Sequence, residues 1–153
     1  MAANRIKIAK DKAELVKALV ASNEKTAPFQ TYVEVMIFAA ALGVKHKKRV
    51  PLQEIAKDLS PLRQDYFASS FNLAINLFAI TETKDINILD DDEIADDKRI
   101  YIFEEYANGG LEILQNELRG AVDYSERLLL ILSSERFGLV EQEEEFDLSK
   151  FLS

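Results

Sequence analysis

Apolar residues recur at helical spacing in nearly every long segment of this chain, while only three prolines and five glycines interrupt them. Leu15, Ala18 and Leu19 form one stripe and Val35, Phe38, Ala39 and Leu42 a second. Leu62 to Ile80, Ile100 to Tyr106, Leu111 to Leu118 and Val122 to Leu132 carry further ones. That periodicity predicts a mainly α, compact multi-helix domain, since each stripe must be buried against another element. At 153 residues, with 48% hydrophobic side chains, the chain can bury a core of single-domain size.

Capping signals divide the pattern. Asp11 followed by Glu14, and Thr31 followed by Glu34, have capping-box spacing. The first predicts a helix from Asp11 to about Ser22 or Asn23, the second a helix closed by Gly43. Pro51 is expected to open a short helix through Ile55 and Ala56 to about Asp58. A largely buried central helix is expected over Leu62 to Thr81. Asn108-Gly109-Gly110 reads as a helix end or a permissive bend. Upstream, Asn4 to Ala9 alternates polar and apolar residues, the pattern of a short strand with Ile6 and Ile8 on one face.

Charge is segregated. Residues 1–58 hold 11 Lys+Arg against 6 Asp+Glu, leaving 8 against 21 in the remainder, so a net charge of −8 conceals a basic first third. These boundaries suggest a basic strand-helix-helix region at 1–58, a helical core at 59–138 and a flexible acidic tail at 139–153, together one domain plus tail.

Several chemistries lack their residues. There is no cysteine and one histidine, which excludes disulfides, thiolate metal sites and histidine-based triads within one chain. His46 lies in a basic run and receives no catalytic role. The carboxylates Asp90 to Glu93, Asp96 and Asp97 lack the spacing and turn glycine of a calcium loop and read as a solvated loop. A metal-dependent nuclease built on them is a minor alternative. No catalytic, cofactor or metal residues are assigned. The Lys-interrupted amino terminus is not a secretory signal, and Val35 to Val44 is about half of a ~20-residue span. A cytoplasmic protein without a membrane segment is expected.

Lys45-His46-Lys47-Lys48-Arg49 attracts phosphates without base specificity, although a solubilising loop has the same composition. A strand followed by two capped helices is also the order of a ribbon-helix-helix unit, in which two chains pair their strands and read DNA through the ribbon. That reading makes a homodimer, with Ile6 and Ile8 in its core and Arg5, Lys7 and Ala9 facing DNA. Arg5, Lys7, Lys45, Lys47, Lys48 and Arg49 are the expected phosphate contacts. In the tail, Phe146, Leu148, Phe151 and Leu152 supply apolar anchors in an acidic context, expected to dock a protein partner.

The phrases RIKIAKDKAELVKALV, PFQTYVEVMIFAAALGVKHKKRVPL and IFEEYANGGLEILQNEL resemble the Dnd-system-associated family of small proteins that accompany bacterial DNA phosphorothioation genes. The resemblance runs from about Arg5 to Phe137, with the acidic tail outside it. It implies a part in sulfur modification of the DNA backbone, or in restriction that uses the mark as self, alongside protein components of that system. It implies no activity for this component, because sulfur transfer needs cysteines or iron-sulfur ligands that are missing. A non-enzymatic accessory protein binding DNA, a protein partner or both is the leading expectation. A pure protein-protein adaptor is the alternative.

Overall fold

The structure is a computed structural model that describes residues 5–21, 26–57, 62–63 and 69–135. It divides into two compact units, Met1–Asn116 and Glu117–Ser153. In the first, strand β1 (Arg5–Ile6) leads through a 3-10 turn (Lys10–Lys12) into helix α1 (Ala13–Leu19). Helix α2 (Tyr32–Lys45), strand β2 (Leu62–Arg63), helix α3 (Ser69–Thr83), a second 3-10 turn (Ile86–Leu89) and helix α4 (Glu93–Glu117) follow. In the second unit Asp123 Oδ1 accepts from the Glu126 amide at 3.2 Å and caps a helix, α5, at 124–135. The chain is mainly helical, as the apolar spacing predicts.

The strand alternation is present, but its partner is intramolecular. β1 pairs antiparallel with β2, Arg5 opposite Arg63 and Ile6 opposite Leu62. Farther along, Ile8 O accepts from the Ala56 amide and the Lys10 amide donates to Glu54 O, both at 2.8 Å. The Lys7 amide points to the other side of the strand and donates to Glu104 Oε2 of α4 at 2.6 Å. Ile6, Ile8 and Ala9 are therefore buried within one chain, with Lys7 exposed between them. This differs from a two-chain ribbon with Ala9 facing DNA: both sides of the strand are engaged by the chain's own groups.

Several boundaries also shift. The first helix begins at a 3-10 turn with no side-chain cap, because Asp11 lies inside that turn and its carboxylate holds Lys12 Nζ at 2.9 Å. It ends at Leu19, where the chain turns extended and Phe29 takes over both the Leu19 carbonyl and the Ala21 amide. The segment after Pro51 forms no helix up to Lys57, the last described residue there, since Glu54 and Ala56 spend their backbone groups on the β1 segment. Residues 62–63 are strand rather than the opening of the expected helix, and among the described residues that helix covers Ser69–Thr83. That helix is less buried than expected: Ile75 and Ala79 face inward, but Leu73 and Leu77 are 58% and 53% exposed. The acidic tail, including Phe146, Leu148, Phe151 and Leu152, lies outside the described residues.

Helix α4 is the element on which the first unit is built, and it runs unbroken through Asn108-Gly109-Gly110. Phe103, Ala107, Leu111 and Leu114 are fully or almost fully buried along it. The glycines serve close packing rather than a bend. A Cβ on Gly110 would strike the Ala39 carbonyl of α2, and one on Gly43 of α2 would strike the Tyr106 carbonyl. Ala39 and Gly43 on one helix thus oppose Tyr106 and Gly110 on the other at backbone-to-backbone distance. Gly43 accordingly sits inside α2, not at its end.

Candidate functional site

The cationic segment following α2 has a defined shape. Past Lys45 the amides of His46, Lys47 and Lys48 donate back to Leu42, Val44 and Gly43, with Lys47 in the left-handed region at φ 53°. This turn closes the orphan carbonyls at the helix end. Lys45, His46 and Lys47 are exposed, whereas Lys48 and Arg49 are half-buried against α4.

Arg49 is the centre of a charged cluster. Its Nε binds Glu105 Oε1 at 2.6 Å and its Nη1 binds Glu82 Oε1 at 2.7 Å, joining α4 and α3 to the loop. The Tyr101 and Tyr106 rings lie 5.7 and 5.9 Å from the guanidinium carbon, within cation-π range. The Tyr106 hydroxyl donates to Glu82 Oε2. Burial works against the Arg49 charge, yet hydrogen bonds and Coulombic attraction from Glu105 and Glu82 outweigh it and raise its pKa. The Tyr106 hydroxyl bond, helped by Arg49, holds Glu82 below the usual carboxylate range despite desolvation. Burial and the Glu82 carboxylate push Tyr106 up to about 12.

Neighbouring groups complete the anchor. Lys48 Nζ pairs with Glu112 Oε1 at 3.1 Å, and the Val50 amide donates to Glu105 O at 3.0 Å. Asn108 Nδ2 reaches Val50 O at 3.2 Å and Pro51 O at 3.4 Å. One turn away, burial raises the pKa of Glu104 even though it accepts the Lys7 amide. Glu104, Glu105 and Asn108 are thus buried polar residues given over to fixing β1 and the 49–51 segment on α4.

Of the six expected phosphate contacts, the structure groups Lys45, Lys47, Lys48 and Arg49 on one turn and leaves Arg5 and Lys7 on the β1 segment. Lys48 and Arg49 meet carboxylates, and Arg49 is only 27% exposed. The anchoring carboxylates Glu82, Glu105 and Glu112 escape a reading by charge runs because they lie on helices distant in sequence. A helical-wheel signal does exist for two of them: Glu105 and Glu112 are seven apart, on the face of α4 that also carries Asn108.

Among the described residues no group of three or more His, Asp or Glu side chains is placed to hold a metal ion. No described helix is long and apolar enough to cross a membrane. The fold and cluster define a small, mainly helical protein whose cationic turn is braced on α3 and α4 by three carboxylates, of which Glu105 is buried.

The chain belongs to the family of DNA sulphur modification system-associated protein 4, whose model matches residues 5–151. The match runs past Phe137, so the acidic tail falls within the family's length rather than beyond it. Neither the curated proteins nor the solved structures hold a significant match to it.

Proposed function

We propose that this chain is a non-enzymatic accessory protein of a DNA phosphorothioation-linked modification or restriction system. In this reading it acts in the cytoplasm in phage defence and binds the DNA backbone through the turn after α2. The braced turn is the observation that supports the reading most. Lys48 and Arg49 fix its base on α4, while Lys45 and Lys47 stand exposed at the helix end. A rigid cationic tip meets phosphates with little ordering cost. Arg5 and Lys7 are the second contact group, on a strand whose backbone is fixed. A protein component of the system is the other partner, with Phe146, Leu148, Phe151 and Leu152 as anchors.

Fluorescence anisotropy with phosphorothioated and unmodified duplexes tests the DNA half. Lys45→Glu together with Lys47→Glu is expected to weaken binding and to reduce the salt slope by about two units, since each phosphate contact contributes about 0.9. Absence of duplex binding at low ionic strength would remove DNA from the proposal. The capture of Lys48 and Arg49 by carboxylates favours one other reading, a pure protein-protein adaptor whose cations are structural.

A further inference from the structure

We infer that the connection between α3 and α4 is a docking face for a lysine- or arginine-rich, aliphatic-bearing segment of a partner protein. In the 3-10 turn Ile86–Leu89, residues three apart eclipse, so Ile86 and Leu89 share an edge while Ile88 between them is buried. Ile86 is 76% exposed, Leu89 is exposed beside it, and Ile94 in the first turn of α4 is 71% exposed. A cleft of about 260 Å³ lies in this connection, with Ile88 and Ala95 as apolar lining, Ile94 beside them, and Asp85, Asp92 and Lys98 as its charged walls.

The surface is built rather than loose. Arg99 Nη1 donates to Ile88 O at 2.6 Å and Asp90 O at 3.0 Å, and its Nη2 binds Asp96 at 3.0 Å. Asp85 Oδ1 caps the 3-10 turn through the Asn87 amide, and Asp92 Oδ1 caps α4 through the Ala95 amide. The turn is therefore held in place, and a partner meets a preformed edge.

Charge selects the occupant. Asp85, Asp90, Asp91, Asp92, Glu93 and Asp97 are all exposed around the three aliphatics, against Lys84 and Lys98, while Arg99 is spent internally. That field repels nucleic acid and anionic lipid and attracts a cationic segment. Solubility explains the carboxylates alone. It does not explain three large aliphatic side chains exposed within one short connection, which work against it.

The inference rests on the accessory-protein reading only in requiring a protein partner; it does not need DNA binding. The test uses the full chain and fluorescein-labelled peptides of about 16 residues: a Leu/Lys amphipathic helix, and a Lys/Ser peptide of equal charge. The Leu/Lys peptide is expected to bind and to perturb backbone resonances at 85–95. Ile86→Ser with Ile94→Ser keeps the charge and removes the aliphatic surface. It is expected to weaken Leu/Lys binding about tenfold while leaving the weaker Lys/Ser binding alone. Equal binding of both peptides, or no effect of the double variant with an unchanged circular dichroism spectrum, would overturn the docking face. Duplex affinity measured on the same variant separates this outcome from failure of the DNA proposal, because the substitutions lie off the cationic turn.

Discussion

At single positions the tightest constraint is steric. Gly110 has no room for a methyl group, because its Cβ would enter the Ala39 carbonyl, a backbone atom that cannot rotate aside. Gly110→Ala is expected to cost about 3 kcal/mol or more, the upper end for overpacking, although alanine is the better helix former. Chemical denaturation would show it as a lowered midpoint with an unchanged slope. Ionisation gives a second residue-level prediction. Burial raises Glu104, so its folded carboxyl prefers the proton. The associated stability is complete below the unfolded value of about 4.3 and is lost as pH rises through the folded value. Glu82 runs the other way: its lowered pKa gives stability present above the unfolded value and lost on acidification. Glu104→Gln keeps an acceptor for the Lys7 amide and cannot ionise. The melting temperature of Glu104→Gln relative to the native chain should therefore rise between pH 4 and pH 7. A difference that stays flat across that range would place the Glu104 titration elsewhere.

At the scale of elements, the two capping-box patterns separate cleanly. Thr31 Oγ1 accepts the Glu34 amide at 3.1 Å, and Glu34 Oε2 reaches back to the Gln30 amide at 2.9 Å. Thr31→Ala should cost about 1 kcal/mol in thermal or chemical unfolding. Asp11 caps nothing, but it holds the ammonium of the buried Lys12, so Asp11→Ala should cost about 1 to 3 kcal/mol through that stranded charge rather than through a lost cap. The contrast shows what was readable from local pattern. Helical type, the Thr31 start of α2 and the inward alternation of Ile6 and Ile8 depend on neighbours in sequence, and they are present. The ends of α1, the absent helix after Pro51 and the passage of α4 through Gly109-Gly110 depend on backbone groups far away. No periodicity reports those. Paired glycines carry the same letters whether they bend a helix or let another helix touch it. In the candidate site, the cationic turn was visible as a charge run, but its brace was not. Glu82, Glu105 and Glu112 look like ordinary surface carboxylates until α3 and α4 are placed beside the turn.

Across the whole molecule the division of charge becomes a competition. The basic first third does not simply face solvent, since three carboxylates from the acidic part close on Lys48 and Arg49. A phosphate approaching the turn must share those cations with groups already in place. Arg49 is held too firmly to be released cheaply: two short contacts and two aromatic faces surround it, and freeing it would strand Glu105 in the interior. Lys48 is different. Its pair with Glu112 leaves both side chains about a third exposed, in the range where an ion pair contributes about 0 to 1 kcal/mol. Glu112→Gln should therefore leave stability nearly unchanged and release one ammonium toward the exposed tip formed by Lys45 and Lys47. If the turn binds duplex DNA, that variant should bind about two- to fivefold more tightly at low salt, with a salt dependence steeper by about 0.9 units, the mark of one added phosphate contact. Anisotropy titrations at several salt concentrations would measure both quantities together. A change in affinity without a change in slope would mean that Glu112 acts through general repulsion, and that Lys48 stays a brace even when its carboxylate is gone.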